Sequence, residues 1–188
     1  MPFESKYTKE AIIDAAFEIA EQEGFQAITA RTVAKKIKGS VAPIYFNFEN
    51  IDALIHAVVL KVFAISQDIL SKQTGDSLYE NMGRAGFEFA EKYPVFFREL
   101  VLKPNPYIAS YEQTEAAMLK GLDQDLNTSK LSMDERKLLI LKVKAMQIGF
   151  QTLIANNQIP SWITKKEVQE LFIAFGHDLL NIELLKKE

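Results

Sequence analysis

Residues 28–48, ITARTVAKKIKGSVAPIYFNF, limit what this chain can fold into more than any other stretch. Thr29 is placed to cap a helix, its hydroxyl accepting from an amide two or three residues on. Val33, Ala34 and Ile37 then recur at helical spacing and give that helix one apolar face. Lys38-Gly39 breaks it, with Gly39 able to take positive φ. Ser40 is expected to cap a second helix over 41–47, in which Pro43 falls at the third position, where an amide has no intrahelical partner. Ile44 and Phe48 are four apart and face the first helix. That leaves Val41, Ala42, Pro43, Tyr45, Phe46 and Asn47 to divide between packing and solvent. Two short helices joined by a tight turn containing glycine form a helix-turn-helix.

Charge supports a nucleic-acid role for this segment. Between Phe25 and Phe48 there is no acid, while Arg31, Lys35, Lys36 and Lys38 supply +4. The preceding stretch, 10–23, holds five acids (Glu10, Asp14, Glu18, Glu21, Glu23) and no base. The whole chain carries −3. A basic island in an acidic protein is the footprint of phosphate contact, and the overall acidity discourages indiscriminate binding.

With no cysteine in its 188 residues, the chain has no disulfide, thiolate zinc site or cysteine nucleophile. The start, MPFESKYTKE, lacks the apolar run of a signal peptide, so a cytoplasmic protein is expected. Residues 145–164 contain no charge, but Gln147, Gln151, Asn156, Asn157, Gln158 and Pro160 argue against a membrane span there.

The remainder reads as helix throughout. Ile12, Ile13, Ala16, Phe17 and Ala20 define a helix over 6–23, closed by Gly24. Asn50 caps a long helix over 51–71, the natural lever between the two halves of the chain. Helices follow over 77–93, 94–102 and 109–126. Gly83 and Gly86, inside the first of these, either permit close packing or leave room for something. Ser132 with Glu135, and Thr164 with Glu167, are capping boxes opening two further helices. Each of those two is apolar on two faces, which suggests a four-helix interface between two copies of the chain through Leu138, Leu141, Ile148, Phe172, Ile173, Gly176, Leu180 and Leu184. The expected fold is all-α, about nine helices, with a three-helix DNA-binding domain over 1–50 and a helical ligand-binding and dimerisation domain over 51–188.

The residues Ile12-Ile13-Asp14-Ala15-Ala16, Gly24-Phe25, Ile28-Thr29, Val33-Ala34, Ser40, Ile44-Tyr45-Phe46-Asn47-Phe48 and Ala53-Leu54 resemble the TetR family of bacterial transcriptional regulators. The close match covers about Lys9 to Val59; beyond it only helix number and length correspond. The resemblance implies a homodimer on a near-palindromic operator, commonly a repressor, released by a small molecule. It implies phosphate contact by Tyr45 and backbone clamping by Thr29 and Arg31, with Lys6, Lys35 and Lys36 as further phosphate candidates. The family often has glycine where this chain has Lys38, and a basic residue followed by Gly-Thr where it has Val41-Ala42-Pro43. The recognition helix therefore carries no charge, and guanine readout by arginine or lysine from it is excluded. Two readings follow. Val41, Ala42 and Pro43 touch thymine methyls while Ser40, Tyr45 and Asn47 hydrogen-bond, giving an A·T-rich half-site; or Lys38 or Arg31 reaches a base from outside the helix.

Candidate ligand-lining residues among the middle helices are Phe87, Tyr93, Phe96, Phe97, Tyr107, Tyr111, Met118, Met146 and Phe150, an aromatic-rich group suited to an apolar or aromatic effector. Arg84, Glu88 and His177 are possible polar contacts. No cofactor, metal or membrane partner is expected. With two histidines, no nucleophile elbow and no phosphate loop, an enzyme is not expected either. The alternative is a helical ligand-binding or protein-interaction dimer without sequence-specific DNA binding.

Overall fold

The computed structural model describes residues 7–104, 106–107, 119–120 and 128–186. It is all-α. Among the described residues there are eight bounded α-helices and no strand: α1 (Lys9–Glu23), α2 (Ala30–Lys36), α3 (Ala42–Asn47), α4 (Ile51–Ser71), α5 (Leu78–Lys92), α6 (Pro94–Phe97), α7 (Met133–Ala155) and α8 (Lys165–Leu185). A π-helical turn, Arg98–Leu102, continues α6. The helix expected over 109–126 lies outside the described residues, apart from 119–120.

Local chemistry accounts for most boundaries. The Thr8 side chain accepts from the Ala11 amide and opens α1. Asn50 Oδ1 accepts from the Ala53 amide at 2.8 Å and opens α4. Both sequence-predicted capping boxes form, Ser132 with Glu135 and Thr164 with Glu167. Gly24 ends α1 at φ +86°, a conformation glycine reaches without the steric cost other residues bear, and the Glu99 carboxylate closes over the place a Cβ would occupy.

The chain packs as two compact units. The described residues of the first fall within Met1–Asp68 and Tyr93–Tyr107; those of the second fall within Ile69–Lys92 and Ile108–Glu188. Packing thus divides differently from the functional boundary expected at residue 50, since most of α4, with α6 and its π-turn, joins the first three helices. The first core contains Ile12, Ala16, Ala20, Val33, Ile44, Leu54 and Val58, each 0% exposed, together with Phe96 and Phe97.

 Phe96 lies 5.1 Å from Phe17 and 5.6 Å, stacked, from Phe25, so the α6 segment closes the base of the helix-turn-helix unit with an aromatic cluster. α4 is long and apolar enough to cross a membrane, as is α7. In α4 that apolarity serves the core, where Leu54, Val58, Val59 and Val62 have essentially no exposed surface.

In the second unit α5 packs against both α7 and α8. Phe87, Ile154, Val168 and Phe172 form its core, bordered by Tyr79, Val143, Met146 and Phe150. Gly83 and Gly86 serve close packing: a Cβ on Gly83 would strike the Phe172 ring, and one on Gly86 would strike the Gln151 and Gln147 amides. The Tyr79 hydroxyl donates to the Phe172 carbonyl at 2.9 Å across Gly176. Burial, reinforced by the adjacent Glu80, raises the Tyr79 phenol well above its ordinary value and keeps it a neutral donor. Phe172 and Gly176 were expected at a dimer interface, but they are buried within a single chain beneath Tyr79, so neither has surface to offer a partner.

Candidate nucleic-acid interface

α2 is short, seven residues, and depends on its cap. Thr29 Oγ1 accepts from the Thr32 amide at 3.1 Å, and Thr32 Oγ1 accepts from the Thr29 amide at 2.9 Å. Thr32 Oγ1 also donates within reach of the Ala27 carbonyl, 2.7 Å away. Threonine thus fills the role that glutamate or glutamine usually takes in this motif, without placing an acid near the basic island.

The turn differs from expectation in two respects. Lys38, not Gly39, takes the left-handed conformation, at φ +54°. Gly39 is needed for contact instead: the Tyr7 ring lies where its Cβ would be, at 2.9 Å, and the Tyr7 hydroxyl donates to the Lys38 carbonyl at 3.3 Å. Ser40 does not cap α3. The helix starts one residue later than expected, after Val41, with no side-chain cap and with Pro43 within its first two positions. An uncapped six-residue helix is held by burial of Ile44 and Phe48 rather than by its own hydrogen bonds.

That anchoring fixes which side of α3 faces out. Val41 is 39% exposed, Tyr45 54% and Phe46 68%. Ala42 is exposed; Pro43 and Asn47 are half-buried. Asn47 spends one amide hydrogen on the Pro43 carbonyl at 2.8 Å, which leaves less of it for an outside partner. Ser40, Thr29, Arg31, Lys35, Lys36 and Lys38 are all exposed. Lys36 pairs with Glu18 of α1 at 2.7 Å, tying α2 to α1. Arg31, Lys35 and Lys38 make no ion pair among the described residues. Lys6 lies outside the described residues. Phe46, the most exposed large apolar side chain of the helix, was not singled out from the sequence; projecting the helix from Ile44 as its inward point would have found it.

The aromatic residues expected to line a ligand site are divided between the two compact units. Tyr93, Phe96, Phe97 and Tyr107 belong to the first unit, where Phe96 and Phe97 are core and Tyr107 is 6.1 Å from Phe25. Phe87, Met146 and Phe150 belong to the second, where Phe87 is sealed in the core. Side chains with no accessible surface cannot line a cavity, so Phe87, Phe96 and Phe97 are packing residues. Tyr111 and Met118 lie outside the described residues. Glu88 is taken up by Lys92 and Gln73, and the Lys92 hydrogen bond, foremost, holds its carboxyl below the usual range. A depression of about 250 Å³ lies at the α7–α8 connection, lined by Asn157, Ile159, Pro160, Ser161, Ile163 and Lys165, none of them expected ligand residues.

A capped helix, a tight turn and an anchored second helix, with free cations around an uncharged outward face, define a helix-turn-helix DNA-binding regulator. Residues 12–58 match the family model described as bacterial regulatory proteins, tetR family. The chain is 26% identical over 95% of its length, and over 100% of the relative's, to the biofilm operon icaADBC HTH-type negative transcriptional regulator IcaR of Staphylococcus aureus. It is 25% identical to the uncharacterized HTH-type transcriptional regulator YvkB of Bacillus subtilis, over 62% of this chain and 68% of that one. A solved TetR structure from Acinetobacter baumannii aligns with 96% of this chain and 94% of its own, at 17% identity and a TM-score of 0.47. Over residues 12–58 the chain therefore carries the helix-turn-helix segment of the tetR family of bacterial regulatory proteins.

Proposed function

We infer that the protein is a cytoplasmic, non-catalytic repressor that binds a near-palindromic operator as a homodimer and is released by a small-molecule effector. The observation that carries the DNA reading is the setting of α3: Arg31, Lys35 and Lys38 are exposed and without ion pairs among the described residues, in a chain of net charge −3. These cations and the Tyr45 hydroxyl take phosphates, with Thr29 and the Glu18-bound Lys36 as secondary contacts. Val41, Ala42 and Pro43 favour thymine over guanine, and Ser40 and the remaining capacity of Asn47 supply hydrogen bonds.

Dimerisation is supported by two outward stripes. On α7, Leu138 and Leu141 are each 55% exposed and lead into Ala145 and the half-buried Ile148. On α8, Leu171, Phe175, Ile182 and Leu185 are exposed at steps of four, seven and three residues, which keeps them on one face. Of the α8 set expected from sequence, Ile173, Leu180 and Leu184 are half-buried and keep surface beside this stripe. Three-and-four spacing on two helices suits a four-helix bundle shared by two chains, which would set the recognition helices ~34–36 Å apart, one DNA turn.

The effector reading rests on Met146 and Phe150, half-buried at the border of the second core, and on α4, which runs from one compact unit into the other. Effector and DNA would weaken each other reciprocally. The uncharged face of α3 also favours a second reading, an interaction dimer with no sequence-specific DNA binding. Titrating the full-length protein against its own upstream DNA and a shuffled duplex, over a range of salt, decides between them. The repressor reading expects a steep salt slope with specific DNA bound more tightly; equal binding to both duplexes favours the interaction dimer.

A further inference from the structure

We propose that Phe46 is a further specificity-determining residue of α3, beside Val41, Ala42 and Pro43, reading the C5-methyl group of a thymine in the major groove. The inference rests on the DNA-binding function above and deepens it. Ile44, at 0% exposure, marks the inward point of the helix. At roughly 100° per residue, Ala42 and Phe46 stand about 200° from it on either side, so the two share the outermost line of the helix, one turn apart. Val41 and Tyr45 occupy one flank; Pro43 and the self-bonded Asn47 occupy the other.

The side chain at the point of deepest entry is therefore a phenyl ring without donor or acceptor. It cannot read the hydrogen-bonding edge of a base. The apolar feature of the major groove is the thymine methyl, and a phenyl ring and an alanine methyl are both suited to contact it. Phe46 is 68% exposed, so burial does not account for an aromatic residue there. Tyr45 is less suited, because its hydroxyl leads the ring and serves phosphate. Exposed apolar surface on α3 adjoins cations free of ion pairs among the described residues, which favours a polyanion over an apolar protein partner.

The test is a residue-against-methyl cycle. The full-length protein first selects its site from a random duplex pool. Each thymine of that site is then replaced by deoxyuridine, which removes only the C5-methyl. Wild type should lose about fourfold in affinity at the contacted position in one half-site, the worth of one buried methyl group, and about fifteenfold when both half-sites are changed. Phe46→Ala should bind the thymine site more weakly and be indifferent to the same replacement, while keeping the wild-type salt slope. An unchanged melting temperature for Phe46→Ala would confirm that the exposed side chain was not holding the fold. If wild type selects a site but tolerates deoxyuridine at every position, or if Phe46→Ala still discriminates the methyl, the assignment to Phe46 is overturned while DNA binding stands. If no site is selected at all, the DNA reading fails with it.

Discussion

The outward face of α3 and the outward stripes of α7 and α8 both leave apolar side chains in water, but on different scales and in different electrical settings. α3 exposes Val41, Ala42, Tyr45 and Phe46 over six residues, beside Arg31, Lys35 and Lys38. α7 and α8 are 23 and 21 residues long and repeat their exposed apolar positions over several turns. Near them, Lys142 is already neutralised by Glu183 at 2.5 Å, and Glu183 is shared with Lys186 at 2.8 Å. Exposed apolar surface is therefore not one signal. A small patch among free cations suits a polyanion with methyl groups in its groove; a long stripe beside satisfied charges suits another helix of the same kind.

The largest effect should come from charging the long stripe. Phe175→Asp or Leu141→Asp would bury an unpaired carboxylate between two chains, giving a monomer by sedimentation and roughly a hundredfold or greater loss of operator affinity, the avidity two linked half-sites provide. If either variant stays dimeric, the stripe is not the interface. Gly24→Ala comes next and touches neither surface. It forces a side chain into φ +86° against Glu99 and should cost about 1–2 kcal/mol in denaturant melts, with dimerisation of the folded protein unchanged.

Lys38→Gly separates fold from binding within the small patch. Relief of the left-handed lysine, less the extra chain entropy of glycine, should stabilise the protein by roughly 0.5–1 kcal/mol. The lost phosphate contact should at the same time lower the salt slope of DNA binding by about one unit. Stability and affinity moving in the same direction would contradict the placing of Lys38 at the DNA.

The smallest effect concerns pH. The hydrogen bonds from Lys142, foremost, and Lys186 hold the Glu183 carboxyl below its ordinary range. A folded-state value lower than the unfolded one means stabilisation is present above the unfolded value and lost as pH falls through the folded one. Denaturant midpoints should therefore fall on acidification through the carboxylate range, and Glu183→Gln should make that fall shallower. An unchanged slope would show that the pair contributes nothing to holding α7 on α8.

Much of this architecture was legible in the sequence because it is local. Thr29, Asn50, Ser132 and Thr164 cap their helices through residues three positions on, a relation visible in the letters. What was not legible depends on contacts distant in sequence. Gly39 looked like the residue for positive φ, but the Tyr7 ring, 32 positions earlier, occupies its open side, and Lys38 takes the strained conformation. Phe172 looked like interface until Tyr79, 93 positions earlier, covered it. Phe96 looked like a ligand contact because nothing in the sequence pairs it with Phe17 and Phe25. The role of Phe46 turns on the register of a six-residue helix, where moving the start by one residue redistributes every side chain around the axis.

The central claim, that a neutral helix among free cations, presented twice by a dimer, reads one groove of a duplex, is tested most directly by selecting bound sequences from a random DNA pool with the purified full-length protein. The predicted result is an inverted repeat whose A·T-rich half-sites lie one helical turn apart, ~34–36 Å. Recovery of a guanine-centred half-site at the α3 contact, or of no common sequence, would contradict it.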